Sequence, residues 1–263
     1  LLSDTLNTAR KNFRKKFKYS MLLTGGSPSK KFVIYTRGRT GSTVLSDLIN
    51  CHPDIFCDVE IFNFIYSNSE VKFPHLYIKS CSKRAALFNK KVYGFKVKIS
   101  QLQNEHKYED YAKILEELYE DGWKFIHLKR MNHLRHKISN LFTTKENIYH
   151  VKSSDNLIRP KIEVDCQLLF DSIKFSENVE RTEEENLSNI PNLKLIYEKD
   201  LSDNTFHQQT ANKVFQYLGL PSHAVTTEYR RLIPENLEDI IINYDELNKC
   251  FKDTEYSKFL NGK

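Results

Sequence analysis

The chain has 263 residues, 40% of them hydrophobic and 12% aromatic, which is ample for a packed core and excludes wholesale disorder. With only 8 Gly and 7 Pro it is neither collagen-like nor low-complexity, and no apolar run reaches the roughly 18–20 residues that span a bilayer. The 40 Lys and Arg against 34 Asp and Glu leave a net charge of +6, a mild surplus that suits a small anionic ligand and is too weak to argue for nucleic acid.

Residues 1 to about 20 predict a basic helix with Arg10, Lys11, Arg14, Lys15, Lys16 and Lys18. This is either a solvated face or, through residues 10–18, a weak contact with a membrane surface. Gly25-Gly26-Ser27-Pro28-Ser29 punctuates the chain, so residues 1–30 are expected as a helix and loop before one domain over 31–263. Phe32-Val33-Ile34-Tyr35 predicts a buried strand, which runs through Thr36-Arg37-Gly38-Arg39-Thr40-Gly41-Ser42-Thr43 into a helix stopped by His52-Pro53. A second strand covers about 92–99, and an amphipathic helix with Tyr111, Ile114, Leu115 and Leu118 ends at Gly122. A third strand, about 123–128, enters a helix whose core face is Leu134, Ile138, Leu141 and Phe142. Residues 144–160 read as an irregular polar connection and about 163–187 as a long helix. A fourth strand, Leu193 to Tyr197, precedes a helix ending at Leu218-Gly219, and the chain from Leu237 is helical and polar. Strands alternating with helices imply an α/β fold: three layers, α/β/α, around a parallel sheet.

Five cysteines, Cys51, Cys57, Cys81, Cys166 and Cys250, are odd in number and irregularly spaced, with no C-x-x-C. That speaks against a disulfide scaffold and for a reducing compartment. No secretory signal is visible, so a cytoplasmic location is the expectation, although an opening at Leu1 rather than Met also accommodates a trimmed leader or anchor.

Two segments carry chemistry. In the loop after the first strand, Gly38 and Gly41 let backbone N–H groups converge, and the following helix adds positive charge at its N-terminus. Thr40, Ser42 and Thr43 supply hydroxyls, and Arg39 supplies a permanent charge with a planar donor fork suited to phosphate. The Lys of the nucleotide triphosphatase loop is missing, which disfavours a metal-dependent enzyme of that type. At the second segment Arg130 ends a strand, and Asn132, Arg135 and Ser139 form a polar stripe on the next helix. Read alone, that stripe is either a solvated face with a capping Asn or a second anion site built as the first is. Two such sites on one sheet suggest a single ligand with phosphates at both ends.

Arg39-Thr40-Gly41-Ser42-Thr43, with the helix into Asn50-Cys51-His52-Pro53-Asp54-Ile55, resembles the 5′-phosphosulfate loop of sulfotransferases that use 3′-phosphoadenosine 5′-phosphosulfate (PAPS). The Arg in first position is similar to bacterial carbohydrate and Nod-factor-type, Golgi and tyrosylprotein enzymes; the cytosolic branch carries Lys there. Arg130-x-Asn132-x-Leu134-Arg135-x-x-Ile138-Ser139 resembles the family's 3′-phosphate site, whose Arg and Ser grip that phosphate. Tyr197-Glu198-x-Asp200-Leu201, Tyr217-Leu218-Gly219-Leu220 and Asn243-Tyr244-Asp245-Glu246-Leu247 with Phe259-Leu260 are similar to later family segments, so the resemblance spans about residues 31–262. It implies a P-loop-like fold and sulfuryl transfer from PAPS to a hydroxyl or amine of a carbohydrate, lipid or small molecule. The product would be 3′,5′-ADP, with no metal and no nucleic acid involved.

The resemblance also assigns roles. Arg39 would stabilise the leaving 5′-phosphate. Glu60 would take the acceptor's proton, with Asp58 as rival because the family's Gly before that Glu is absent; His52, beside Pro53 at a helix stop, is either another base or structural. Lys96 would polarise the transferring group, with Lys98 on the same side of the strand. Tyr197 is either an adenine contact or core. His133 and His136 are a conceivable metal pair without a third ligand, and Asn186-Leu187-Ser188 is a glycosylation triplet. An enzyme using ATP and Mg²⁺, or a non-catalytic nucleotide-binding module, is the alternative.

Overall fold

The computed structural model describes residues 18–67, 70–155 and 159–260. Five strands form one parallel sheet in the order β2-β3-β1-β4-β5. They are β1 (Lys30–Thr36), β2 (Ile55–Glu60), β3 (Val92–Val97), β4 (Lys124–Lys129) and β5 (Asn192–Ile196). The last five residues of β1 are buried, as expected of a central strand covered on both faces. Val33 and Tyr35 point to one face, where they join Ile78, Phe95, Leu115 and Trp123. Helices α2 (Pro74–Ser82) and α3 (Tyr111–Glu120) cover that side. Phe32 and Ile34 point to the other, where Leu45, Leu48 and Ile49 of α1 (Ser42–Asn50) meet Ala211, Val214 and Phe215 of α6 (His207–Leu218). Phe32 lies flat on Gly94: a Cβ there would sit 2.0 Å from its ring, so the β1–β3 contact requires glycine. A third apolar cluster joins α4 (His133–Glu146) and α5 (Cys166–Asn186) to α7 (Tyr244–Phe251) and the residues around it.

This is the three-layer α/β/α architecture expected from the alternation of strands and helices. From β1 the chain runs to β2 and β3 on one side, then crosses to β4 and β5 on the other. The carboxyl end of β1 therefore lies beside the crevice where such sheets bind ligands. Three expectations change. Ile55–Glu60 is an edge strand, unforeseen because Asp58 and Glu60 interrupt its apolar pattern and its register shifts between Cys57 and Glu60. The helix from His133 continues through Glu146 into the segment expected to be irregular. The C-terminal segment is three short pieces, Leu237–Asp239, Tyr244–Phe251 and Ser257–Phe259, rather than continuous helix.

The basic helix expected over residues 1–20 lies outside the described residues apart from its last three, and with it the membrane contact assigned to 10–18, except Lys18, whose Nζ donates to the Glu70 carbonyl at 3.0 Å. All five cysteines are free thiols. Among the described residues no helix is long and apolar enough to cross a membrane.

Candidate active site

The loop after β1 turns on two left-handed residues, Arg39 at φ 64° and Gly41 at φ 84°. Gly41 is also sterically required, since a Cβ would come 2.7 Å from the Tyr197 ring. No side chain caps α1, so the first-turn amides of this nine-residue helix have no partner within it and face the cleft beside Ser42 and Thr43. Thr40 differs from expectation. It is fully buried, with Oγ1 2.5 Å from Thr36 Oγ1 and donating to the Arg37 carbonyl at 2.9 Å. Its hydroxyl laces the loop together and does not reach the cleft, which leaves its backbone N–H as the group it offers a ligand. From α4, His136 Nε2 donates to the Gly38 carbonyl at 2.6 Å. Burial, reinforced by Arg130 and Arg37, holds that imidazole well below its ordinary pKa, so it is a neutral strut.

The loop forms one wall of a cleft of about 1910 Å³ over the carboxyl end of the sheet. This exceeds the roughly 300–1,000 Å³ of a small-molecule pocket and leaves room for two substrates. Gly41, Ser42, Thr43, Arg39, Arg130, Ser139, Glu60 and Lys96 all line it. Arg39 Nε donates to Ser139 Oγ at 3.3 Å and Arg39 Nη1 to the Tyr149 carbonyl at 2.6 Å, so its side chain lies across the two segments singled out in the sequence. Arg130 Nη1 donates to the Arg39 carbonyl at 2.9 Å, and its guanidinium stacks on Tyr197 at 4.6 Å. Among the described residues Arg130 Nε has no hydrogen-bond partner, only Glu198 at 3.7 Å, and Arg135 Nη1 is likewise orphaned, while its Nη2 donates to the Pro234 and Glu235 carbonyls.

Burial lowers the pKa of Arg39, Arg130 and Arg135 alike. Mutual repulsion adds to it: Arg130 acts on Arg39, Arg231 on Arg130, and both on Arg135. Guanidinium stays charged, so the shared direction reflects the burial of several like charges in one cleft rather than deprotonation. Buried donors without acceptors cost about 1–3 kcal/mol each, more when charged, unless something fills the site.

The second anion site is not built as the first is. The Met131 and Asn132 amides donate to the Glu198 carboxylate at 3.0 Å each, and Asn132 Oδ1 accepts from the Arg135 amide at 2.9 Å. The entry to α4 is therefore already capped, and what remains for a ligand is side-chain chemistry: the Arg130 and Arg135 donors and the Ser139 hydroxyl. Tyr197 is a packing surface for Gly41 and Arg130 on the cleft wall.

At the far end of the loop, the register shift in β2 sets Glu60 beside Lys96 of β3. Glu60 Oε2 accepts from Lys98 Nζ at 2.8 Å and from Gln101 Nε2 at 2.9 Å. Lys96 is 5% exposed, has no ion-pair or hydrogen-bond partner among the described residues, and is held below its ordinary pKa by burial. The two rivals of Glu60 lie elsewhere. Asp58 is buried against Arg84 Nη1 at 2.7 Å and the Tyr93 hydroxyl at 3.2 Å. His52 is 1% exposed, packed on Phe215, with Nδ1 accepting from the Asp54 amide. His133 faces Glu180 at 3.2 Å while His136 holds Gly38, so they do not form a pair, and no cluster of potential metal ligands exists among the described residues. The Asn186 amide nitrogen donates to the Tyr35 hydroxyl at 3.1 Å and is half-buried.

Among the cleft residues that sequence reasoning missed are Arg231 and His150. Arg231, donating through Nε to the Ser202 carbonyl, comes from a segment with no periodic pattern; the Arg230-Arg231 doublet was its only signal. His150 comes from the connection after α4, read as featureless. No protein-family model matches the chain, and no curated protein matches it either.

Proposed function

We propose that the protein transfers a sulfuryl group from PAPS to a hydroxyl or amine of a carbohydrate, lipid or small molecule. The observation that carries this reading is the cluster of Arg39, Arg130 and Arg135 in one cleft, with donors of Arg130 and Arg135 orphaned among the described residues, beside an uncapped helix N-terminus. One adenosine with phosphates at both ends supplies the missing charge. Its 5′-phosphate side takes the amides of the loop with Ser42 and Thr43. Its 3′-phosphate takes Ser139, Arg130 and Arg135, displacing Arg39 from the Ser139 hydroxyl toward the bond that breaks.

The reaction asks for charge neutralisation on the leaving phosphate and the transferring oxygens. Arg39 serves the first and Lys96 the second, and fixed cations stand where a triphosphate enzyme needs a metal. Glu60, to which the resemblance assigns the acceptor's proton, lines the same cleft. Supporting the two-substrate reading is the cleft's size, about 1910 Å³.

The test is transfer of labelled sulfate from PAPS, without metal, to panels of glycans, lipids and phenols. Labelled product is expected, with turnover lost in Arg39→Ala. Glu60→Gln is expected to keep 3′,5′-ADP binding and lower turnover. Transfer of phosphate from ATP with Mg²⁺, and none from PAPS, would reject the proposal in favour of a kinase.

A further inference from the structure

The sequence pointed to Glu60 as the proton acceptor, but its Oε2 already accepts from Lys98 and Gln101. The cleft also holds two histidines able to take a proton: His207, whose Nε2 is engaged with the Leu201 carbonyl at 3.1 Å, and His150. His150 lines it, is exposed to it, and makes no hydrogen bond through either ring nitrogen among the described residues. Its ring meets Tyr229 edge-on at 5.9 Å. Its backbone neighbours are pinned on both sides: the Tyr149 carbonyl accepts from Arg39, and the Val151 carbonyl accepts from the Arg230 amide at 2.9 Å.

We infer that His150 is a catalytic residue of the transfer, the base that accepts the acceptor's proton, and that Glu60 instead holds Lys98. The inference rests on the reading of the cleft as a sulfuryl-transfer site. As the acceptor oxygen bonds to sulfur, the bond from sulfur to the 5′-phosphate oxygen breaks and its electron pair leaves with 3′,5′-ADP. The acceptor's O–H proton passes to the free imidazole nitrogen, and the imidazolium returns it to solvent after product release.

The surroundings favour a neutral ring in the free protein. Burial among the cleft walls lowers its pKa below the ordinary 6.5, and the charges of Arg39, Lys96 and Lys98 lower it further, against Glu60, which raises it. These come from the loop after β1, the end of β3 and the end of β2; Tyr229 faces it from the C-terminal side. A base acts only when deprotonated, so kcat/KM falls as pH drops through the free protein's value, and that acidic limb lies below 6.5.

The experiment follows release of 3′,5′-ADP from PAPS, with water or added phenol as acceptor, across pH 5 to 8, alongside thermal stabilisation by 3′,5′-ADP. His150→Ala is expected to lower turnover about 100-fold or more, to lose the acidic limb, to recover part of its rate with added imidazole, and to keep the stabilisation. Glu60→Gln is expected to lower turnover while keeping the limb. If His150→Ala turns over as the wild type does, or if Glu60→Gln is the variant that loses the limb, the role given to His150 is overturned. Wild-type protein that 3′,5′-ADP does not stabilise overturns the nucleotide reading instead, and stabilised protein that releases nothing from PAPS overturns the transfer and His150's part in it.

Discussion

Arg37 and Arg39 stand two residues apart in one loop and face opposite electrostatic worlds. Arg37 turns behind the loop, where Nη2 meets Glu180 at 3.0 Å, Nε meets Glu183 at 3.1 Å and Nη1 donates to both oxygens of Ser176. Lys129 at the end of β4 joins the same carboxylate cluster, 2.5 Å from Glu180 and from Glu184. Arg39 turns to the front and finds a carbonyl and a hydroxyl, with no carboxylate within ion-pair distance among the described residues. Lysines repeat the contrast. Burial alone would lower Lys129, yet its bonds to Glu180 and Glu184 raise it; Lys96, with no partner, is left low by burial. Glu180, Glu183 and Glu184 neutralise the cations behind the loop, and in front Lys98 has Glu60. Arg39 and Lys96 have no carboxylate partner among the described residues, and they are the cations to which we assign a ligand's charge.

The contrast breaks first at Arg37. Replacing it with Met strands Glu183 in the interior, while Glu180 keeps Lys129 and His133, and a stability loss of about 3–5 kcal/mol is expected in urea denaturation. Acid should erode the same network. Burial alone would raise Glu180, but bonds from His133 and Lys129 and the charge of Arg37 outweigh it and pull its pKa from 4.5 to about 2. The stabilisation, about 3 kcal/mol, is present above pH 4.5 and lost as pH falls toward 2; Glu180→Gln should flatten the stability–pH curve across that window. Gly41→Ala forces a left-handed alanine into the Tyr197 ring, for a loss of about 1–3 kcal/mol by thermal melting, with weakened 3′,5′-ADP binding. Arg39→Ala should change stability by less than about 1 kcal/mol, because it also relieves repulsion with Arg130. Ser139→Ala is the finest probe. Affinity for 3′,5′-ADP should fall about fivefold by calorimetry, a lost hydrogen bond's worth, with 5′-AMP unaffected.

Much of the fold was legible because β1, β3, β4 and β5 are apolar runs with turn signals at their ends. The strand ending at Glu60 was not: an edge strand with a bulge keeps polar residues where alternation predicts apolar ones. The loop at 38–43 was readable from its glycines and Arg39, but not which hydroxyls face the ligand. Thr40 and Ser42 are equivalent in sequence and differ only through Thr36 behind them. The stripe Asn132, Arg135, Ser139 was visible by helical spacing, whereas the capping of that helix by Glu198 depends on a strand end 66 residues away. Arg231 and His150 come from segments without period, positioned by tertiary contacts alone.

The account rests on the frontal cations serving a doubly phosphorylated adenosine, and ligand-induced thermal stabilisation reads this directly. Without metal, 3′,5′-ADP should raise the melting temperature well above 5′-AMP at equal concentration, and Arg130→Lys with Ser139→Ala should bring the two together. Equal stabilisation of the wild type by 5′-AMP, or a larger shift from ATP with Mg²⁺, would contradict it.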